Sequence, residues 1–197
     1  TLPCAGVTAW NALMEGPRPT RPGESVLVLG TGGVSLLALQ IAKAAGATVV
    51  ATSSSDDKLA RVRELGAAHG INYREAADWG VQAAKLTGGI DHVVEVGGVG
   101  TLAQSMQAVG FAGEIGLIGV LTREGDTSPH SLMMKGANLR GIFVGNGAMA
   151  ERLNACIDTS GIKPVVDKIF PFEEAVEAYR YQQSGALFGK VVIRVHP

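Results

Sequence analysis

Cysteine is scarce. Only Cys4 and Cys156 occur in 197 residues. Two thiols so far apart make no disulfide framework, which points to a reducing, cytoplasmic compartment. Charge of one sign is also missing: Lys and Arg total 17 against 18 Asp and Glu, a net charge of −1. The cations are scattered, so nothing marks a nucleic-acid partner or an anionic membrane surface. No apolar run approaches the roughly 18 to 20 residues of a membrane span, and no signal peptide is recognisable. The four histidines, His69, His92, His130 and His196, show no ligand spacing with one another or with Cys156, and read as structural or surface groups. There is no low-complexity segment. The chain begins at Thr1 without a methionine, as a segment cut from something longer would.

Apolar residues are plentiful, at 46%, and glycine, at 27 of 197, is about twice the usual ~7%. A large buried fraction follows, with many tight strand-to-helix turns. The centre of the pattern is Val26-Leu27-Val28-Leu29-Gly30-Thr31-Gly32-Gly33-Val34-Ser35, after which apolar residues recur at helical spacing through Lys43. A four-residue apolar run, a glycine turn and a helix are the parts of an anion site. The first amides of a helix lack internal partners, the helix dipole adds positive charge, and glycine lets a pyrophosphate approach the backbone. Ser35 stands where the usual G-x-G-x-x-G has its third glycine. Thr48 to Thr52 forms a second β-branched run and completes a βαβ unit of about 30 residues.

Further along, Val7, Trp10, Leu13 and Met14 share one face of a helix ended by Gly16-Pro17-Arg18-Pro19. Asp56 to Gly66 reads as a helix, His69 to Tyr73 as a strand, Trp79 to Leu86 as a helix and Asp91 to Val96 as a strand. A helix from Leu102 to Val109 follows, then strands Glu114 to Val120 and Leu139 to Val144, and a helix Ala150 to Thr159. The tail offers Val165 to Phe170, a helix Phe172 to Gln182, and Lys190 to Val195. Six strands separated by helices or crossovers predict an α/β fold, a doubly wound six-stranded parallel (Rossmann) sheet. Glu95 reads as a hydrogen-bonded structural carboxylate, Met133 and Met134 as core or interface, and Cys156 as core.

Leu2-Pro3-Cys4-Ala5-Gly6-Val7-Thr8-Ala9-Trp10, the glycine turn, Ala44-Ala45-Gly46-Ala47, Gly66-Ala67, Glu95-Val96-Gly97-Gly98, Ile118-Gly119 and Phe188-Gly189-Lys190-Val191-Val192 occur in the order of one family. Together they resemble the cofactor-binding half of the medium-chain dehydrogenase/reductase superfamily, the zinc-type alcohol dehydrogenases and quinone oxidoreductases. The resemblance implies a division into residues 1–22, a lead-in helix and linker from a missing N-terminal domain; 23–160, the dinucleotide-binding Rossmann domain; and 161–197, a C-terminal helix and return strand belonging to that absent catalytic domain. It implies that Gly30, Thr31, Gly32, Gly33 and Val34 cradle the pyrophosphate and that Tyr73 lies against the adenosine phosphate. Val96, Gly97 and Gly98 would approach the ribose. Ile118, Gly119, Val120 and Leu121, with Phe143, Val144 and Gly145, would wall the nicotinamide. Thr8 would face that ring, and Phe188 and Lys190 would touch the cofactor from the other side. Cys4 matches the one zinc ligand this half supplies in metal-dependent members, and equally suits a small buried apolar role.

NAD-preferring members place an Asp where Ser53 stands. Ser53 and Ser54 offer hydroxyls and Lys58 a charge, so the implied cofactor is NADP, with zinc possible in a full-length protein. The function expected is an NADP-dependent oxidoreductase transferring a hydride between nicotinamide and a small-molecule alcohol, carbonyl or activated alkene. The alternatives are a non-catalytic NADP-binding, redox-sensing module and an S-adenosylmethionine-dependent methyltransferase, the latter disfavoured because it wants an acid at Ser53. A homodimer through the sixth strand is also expected.

Overall fold

The computed structural model of the protein describes residues 1–119, 121–122 and 127–195. Strands β1 (Ser25–Leu29), β2 (Thr48–Ser53), β3 (His69–Asn72), β4 (Ile90–Glu95), β5 (Val109–Leu117) and β6 (Asn138–Gly141) form one sheet in the order β3-β2-β1-β4-β5-β6, with every neighbouring pair parallel. The order reverses between β1 and β4, which opens a crevice above the carboxyl ends of those two strands.

All five residues of β1 are buried, as a central parallel strand covered on both faces requires. Val26 and Val28 join the core on one face and Leu27 and Leu29 the core on the other. The first core takes in α1 (Val7–Met14), α2 (Gly33–Ala44), α3 (Asp56–Glu64) and α7 (Gly147–Ser160); the second takes in α4 (Trp79–Thr87) and α5 (Val99–Ala108). A single π-helical turn, Leu2–Gly6, leads into α1. Ser35 is 1% exposed and its hydroxyl donates to the Leu29 carbonyl at 2.6 Å. A serine therefore fits where the third glycine was expected, because its one polar group is satisfied by the end of β1.

Three sequence expectations need correction. The sixth strand, expected over Leu139 to Val144, ends at Gly141; Val144 adopts a left-handed φ of 49° and its carbonyl accepts from the Asn11 side chain at 2.9 Å, which turns the chain off the sheet line. β5 begins at Val109 rather than Glu114, because Ile90 pairs with Val109 ahead of a register shift between Ile90 and His92. Met133 and Met134, read as core or interface, lie exposed on the short helix α6 (His130–Lys135), which removes the core reading and leaves the interface one. Cys156 is half-buried at the edge of the first core, beside Ser160.

The tail forms its own two-stranded parallel sheet from β7 (Val166–Pro171) and β8 (Lys190–Arg194), with α8 (Ala175–Gln183) between them. It is fastened to the large sheet at the glycine turn, where the Gly189 amide donates to Thr31 at 2.9 Å. On the opposite edge, Arg140 of β6 bonds buried Glu114 at 2.8 Å and donates to the carbonyls of Asn11, Ala12 and Glu15, filling the open end of α1.

Candidate functional site

Two glycine turns meet at the crevice, and they differ in what their amides do. At the second, Glu95 is fully buried and accepts from the amides of Gly97 (2.8 Å) and Gly98 (3.0 Å) and from the hydroxyls of Thr101 (2.5 Å) and Ser105. Gly100 donates to the Thr122 hydroxyl at 2.7 Å. That turn is closed by the protein itself, and Glu95 is the structural carboxylate expected of it.

The first turn is open. Gly30, with φ of 68°, donates to the Thr52 hydroxyl at 3.3 Å, and Gly32 caps α2 in extended backbone. Among the hydrogen bonds of the described residues, none takes up the amides of Gly32 or Val34. A Cβ built on Gly32 would meet no protein atom within 4 Å, and φ of −78° suits any residue. Neither packing nor backbone strain therefore calls for glycine at Gly32, and a side chain there would fill only the crevice.

Two adjoining cavities lie over this turn. One of about 350 Å³ is lined by Leu29, Gly30, Thr52, Tyr73, Ala77, Trp79, Val96, Gly97, Gly100, Thr101 and Leu121. The other, about 240 Å³, is lined by Gly30, Thr31, Gly32, Ser53, Ser54, Lys58, Tyr73, Gly185 and Leu187. Of the residues expected at the pyrophosphate, the adenosine end and the ribose, Gly30, Thr31, Gly32, Ser53, Ser54, Lys58, Tyr73, Val96 and Gly97 line this crevice, whereas Gly33, Val34 and Gly98 do not. Ser53 is buried and its hydroxyl accepts from the Ser55 amide at 3.4 Å, whereas Tyr73 is open to solvent.

Others stand further along the same sheet edge. Ile118 and Gly119 donate to the Glu95 carbonyl at 2.9 Å each, and a Cβ on Gly119 would collide with Val96 backbone. Phe143 is 95% exposed, and Val144 and Gly145 follow it. Val120 lies outside the described residues. Thr8 is buried, with its hydroxyl donated to the Cys4 carbonyl at 2.8 Å.

Sequence reasoning missed Trp79, Gly185 and Leu187 as lining residues, along with Leu29, Thr52, Ala77, Gly100 and Thr101. Trp79 carried a signal, an aromatic at the start of a helix leaving a sheet edge, but Gly185 and Leu187 carried none. They arrive because the tail folds back: Lys58 Nζ donates to the Gly185 carbonyl at 2.8 Å. The Lys190 side chain lies across Gly33, so a Cβ there would strike it. The Phe188 ring is only 2% exposed and sits in the first core beneath Arg61, so its ring does not face the crevice; its neighbour Leu187 does.

Cys4 is exposed, which removes the buried apolar role. A zinc site needs three or four ligands. Among the described residues no group of three His, Cys, Asp or Glu side chains gathers anywhere, so these residues do not by themselves make a zinc centre. No described helix is long and apolar enough to cross a membrane.

Residues 33–168 match the sequence family described as zinc-binding dehydrogenase. A zinc-type alcohol dehydrogenase-like protein of Schizosaccharomyces pombe is 50% identical over 99% of this chain and 59% of its own length. The chloroplastic NADPH-dependent alkenal/one oxidoreductase of Arabidopsis thaliana is 32% identical over 98% of this chain and 45% of its own. Among solved structures, one from Sinorhizobium meliloti 1021, described provisionally as an alcohol dehydrogenase, superposes with a TM-score of 0.92 at 46% identity, covering 98% of this chain and 57% of that one. An NAD-dependent alcohol dehydrogenase superposes with 0.87 at 32% identity, again over 98% and 57%. The chain thus spans about half the length of the relatives it matches.

Proposed function

Because the chain belongs to the zinc-binding dehydrogenase family and matches the cofactor-binding half of the medium-chain dehydrogenase/reductase superfamily, we propose that it binds NADP(H) for hydride transfer to or from an alcohol, carbonyl or activated alkene. The observation that carries the reading is the open amide turn at Gly32, whose missing side chain has no use within the protein. A bound nicotinamide dinucleotide would supply or accept the hydride. The chain's own work is to hold it. Amides of Gly32 and Val34 would take the pyrophosphate at the positive end of α2. Trp79 and Tyr73 would wall the adenosine, and Ile118 and Leu121 beyond β5, with Phe143 beyond β6, would line the nicotinamide side.

The preference for NADP rests on the end of β2. The relatives' names include both NADPH and NAD, so they do not decide it. No carboxylate lines the smaller cavity, while Ser53, Ser54 and Lys58 do, and a 2′-phosphate needs donors and positive charge. Family membership sets aside the methyltransferase alternative. Cys4 would contribute one ligand to a zinc ion whose other ligands come from elsewhere; no step is assigned to that metal. No complete acid/base set lines either cavity, so the chain is expected to bind NADPH without turning over alcohols or quinones. Titrating NADPH by its fluorescence, beside a turnover assay, tests this. Absence of binding would refute the assignment, and robust turnover would refute the division of labour.

A further inference from the structure

The wall formed by Gly185 and Leu187 belongs to a loop whose Phe188 end is held by one carboxylate. Asp167 of β7 accepts from the Tyr181 hydroxyl of α8 at 2.6 Å, from the Phe188 amide at 3.1 Å, and from Arg61 of α3 at 3.4 Å. The same Arg61 guanidinium lies 3.8 Å over the Phe188 ring. α3 also carries Lys58, whose ammonium reaches across the cavity to the Gly185 carbonyl at 2.8 Å. The loop is therefore tied to α3 at both ends, directly through Lys58 and indirectly through Asp167. The Asp167 side chain is only 12% exposed. Burial pushes its carboxyl up, but the bonds from Tyr181, the Phe188 amide and Arg61 outweigh burial and hold it below the usual range. A lysine on a free four-carbon stem has no fixed position; one bonded to an anchored carbonyl has.

We propose that Asp167 is a positioning residue for the phosphate-bearing end of the adenosine site: it holds the 185–188 loop against α3, so that Lys58 stands where a 2′-phosphate binds. The inference rests on reading the crevice as an NADP site. Asp167 touches no lining surface of its own, so its effect must pass through the loop and Lys58, and that makes the effect separable from a general loss of stability.

The test is a double-variant cycle read by calorimetry with 2′,5′-ADP, which carries the extra phosphate, and 5′-AMP, which does not. Lys58→Ala, Asp167→Ala, the pair together, and Tyr181→Phe are compared with the wild type. Asp167→Ala is expected to weaken 2′,5′-ADP about tenfold and 5′-AMP less than about twofold, and to add less than about twofold once Lys58 is already alanine. Tyr181→Phe, which leaves the carboxylate in place, should lose about threefold for 2′,5′-ADP alone and decides the matter if Asp167→Ala fails to fold. Undiminished affinity in the Asp167 and Tyr181 variants, equal losses for both nucleotides, or losses that multiply with Lys58→Ala would each overturn the role of Asp167 while leaving the NADP reading intact. If the wild type binds both nucleotides equally and Lys58→Ala changes nothing, the NADP reading itself fails, and this inference with it.

Discussion

Replacing Gly32 by alanine adds one methyl group where the protein has no atom within 4 Å and the backbone, at φ of −78°, accepts any residue. The fold should barely notice. Alanine is a somewhat poorer N-cap than glycine, while loss of glycine's freedom in the unfolded chain favours the variant by roughly 0.4 to 1 kcal/mol, so the two effects nearly cancel. The dinucleotide should notice strongly. A methyl group between the pyrophosphate and the amides of Gly32 and Val34 disrupts at least one charge-assisted hydrogen bond, worth roughly 1.5 to 3 kcal/mol. At about 1.4 kcal/mol per decade, NADPH affinity falls roughly ten- to a hundredfold. Gly30→Ala makes the control. Its φ of 68° forces a side chain into left-handed backbone, at a cost of about 1 to 2 kcal/mol, so that variant should lose stability as well as binding. Fluorescence titration with NADPH beside a thermal melt reads both quantities. A Gly32→Ala protein that binds normally would refute the reasoning, as would one that melts several degrees lower.

Ser53→Asp should weaken NADPH by one to two orders of magnitude, roughly the worth of one charge-assisted bond, and Lys58→Ala should weaken NADPH but not NADH and flatten its salt dependence; equal wild-type affinities for the two nucleotides would count against both. Glu95→Ala should cost roughly 3 to 5 kcal/mol in urea unfolding, since two amides and two hydroxyls lose their buried acceptor; a loss under about 1 kcal/mol would show that the turn stands without it. Acid stability tracks Asp167 and Glu24. Burial pushes Glu24 up, but the Arg21 amide, His92 and Arg18 outweigh it, so both carboxyls sit below their ordinary values of 3.8 and 4.5. Their contribution is whole above those values and is lost as pH falls through the lower folded ones, so Asp167→Asn should lower stability at neutral pH and shallow its decline below pH 3.8. Exposed Leu139 on edge strand β6 and Phe143 just beyond it lead us to expect a homodimer through that edge, and a monomer in sedimentation at tens of micromolar would refute it.

The central βαβ unit was legible because its periodicity changes twice within about twenty residues, from a short apolar run to glycine to helical spacing. The crevice residues Gly30, Ser53 and Lys58 were legible for a related reason, and Tyr73 through the family resemblance. Each sits at the carboxyl end of a strand or the start of the next helix, and a doubly wound sheet brings such positions together. The end of β6 was not legible. Leu139 to Val144 reads as one strand with Leu139, Ile142, Phe143 and Val144 apolar, and only Asn11, 133 positions earlier, turns Val144 away. The same limit applies to Gly185 and Leu187, which reach the site through Lys58 at a separation of 127 residues, and to Phe188, whose ring is buried in the first core beneath Arg61, which no local pattern foretells. For Met133 and Met134 the sequence left core and interface both open, because apolar residues at adjacent positions on a six-residue helix do not say which side is covered.

Backbone amide chemical shifts followed while NADPH is titrated into the wild-type protein test the central claim most directly. The account predicts saturable 1:1 binding in which the amides of Gly32 and Val34 shift most, with Ser53, Ser54 and Tyr73 following and the amides of Gly97 and Gly98, already held by Glu95, moving less. No saturable shift at Gly32 and Val34, or the largest shifts away from this turn, would contradict it.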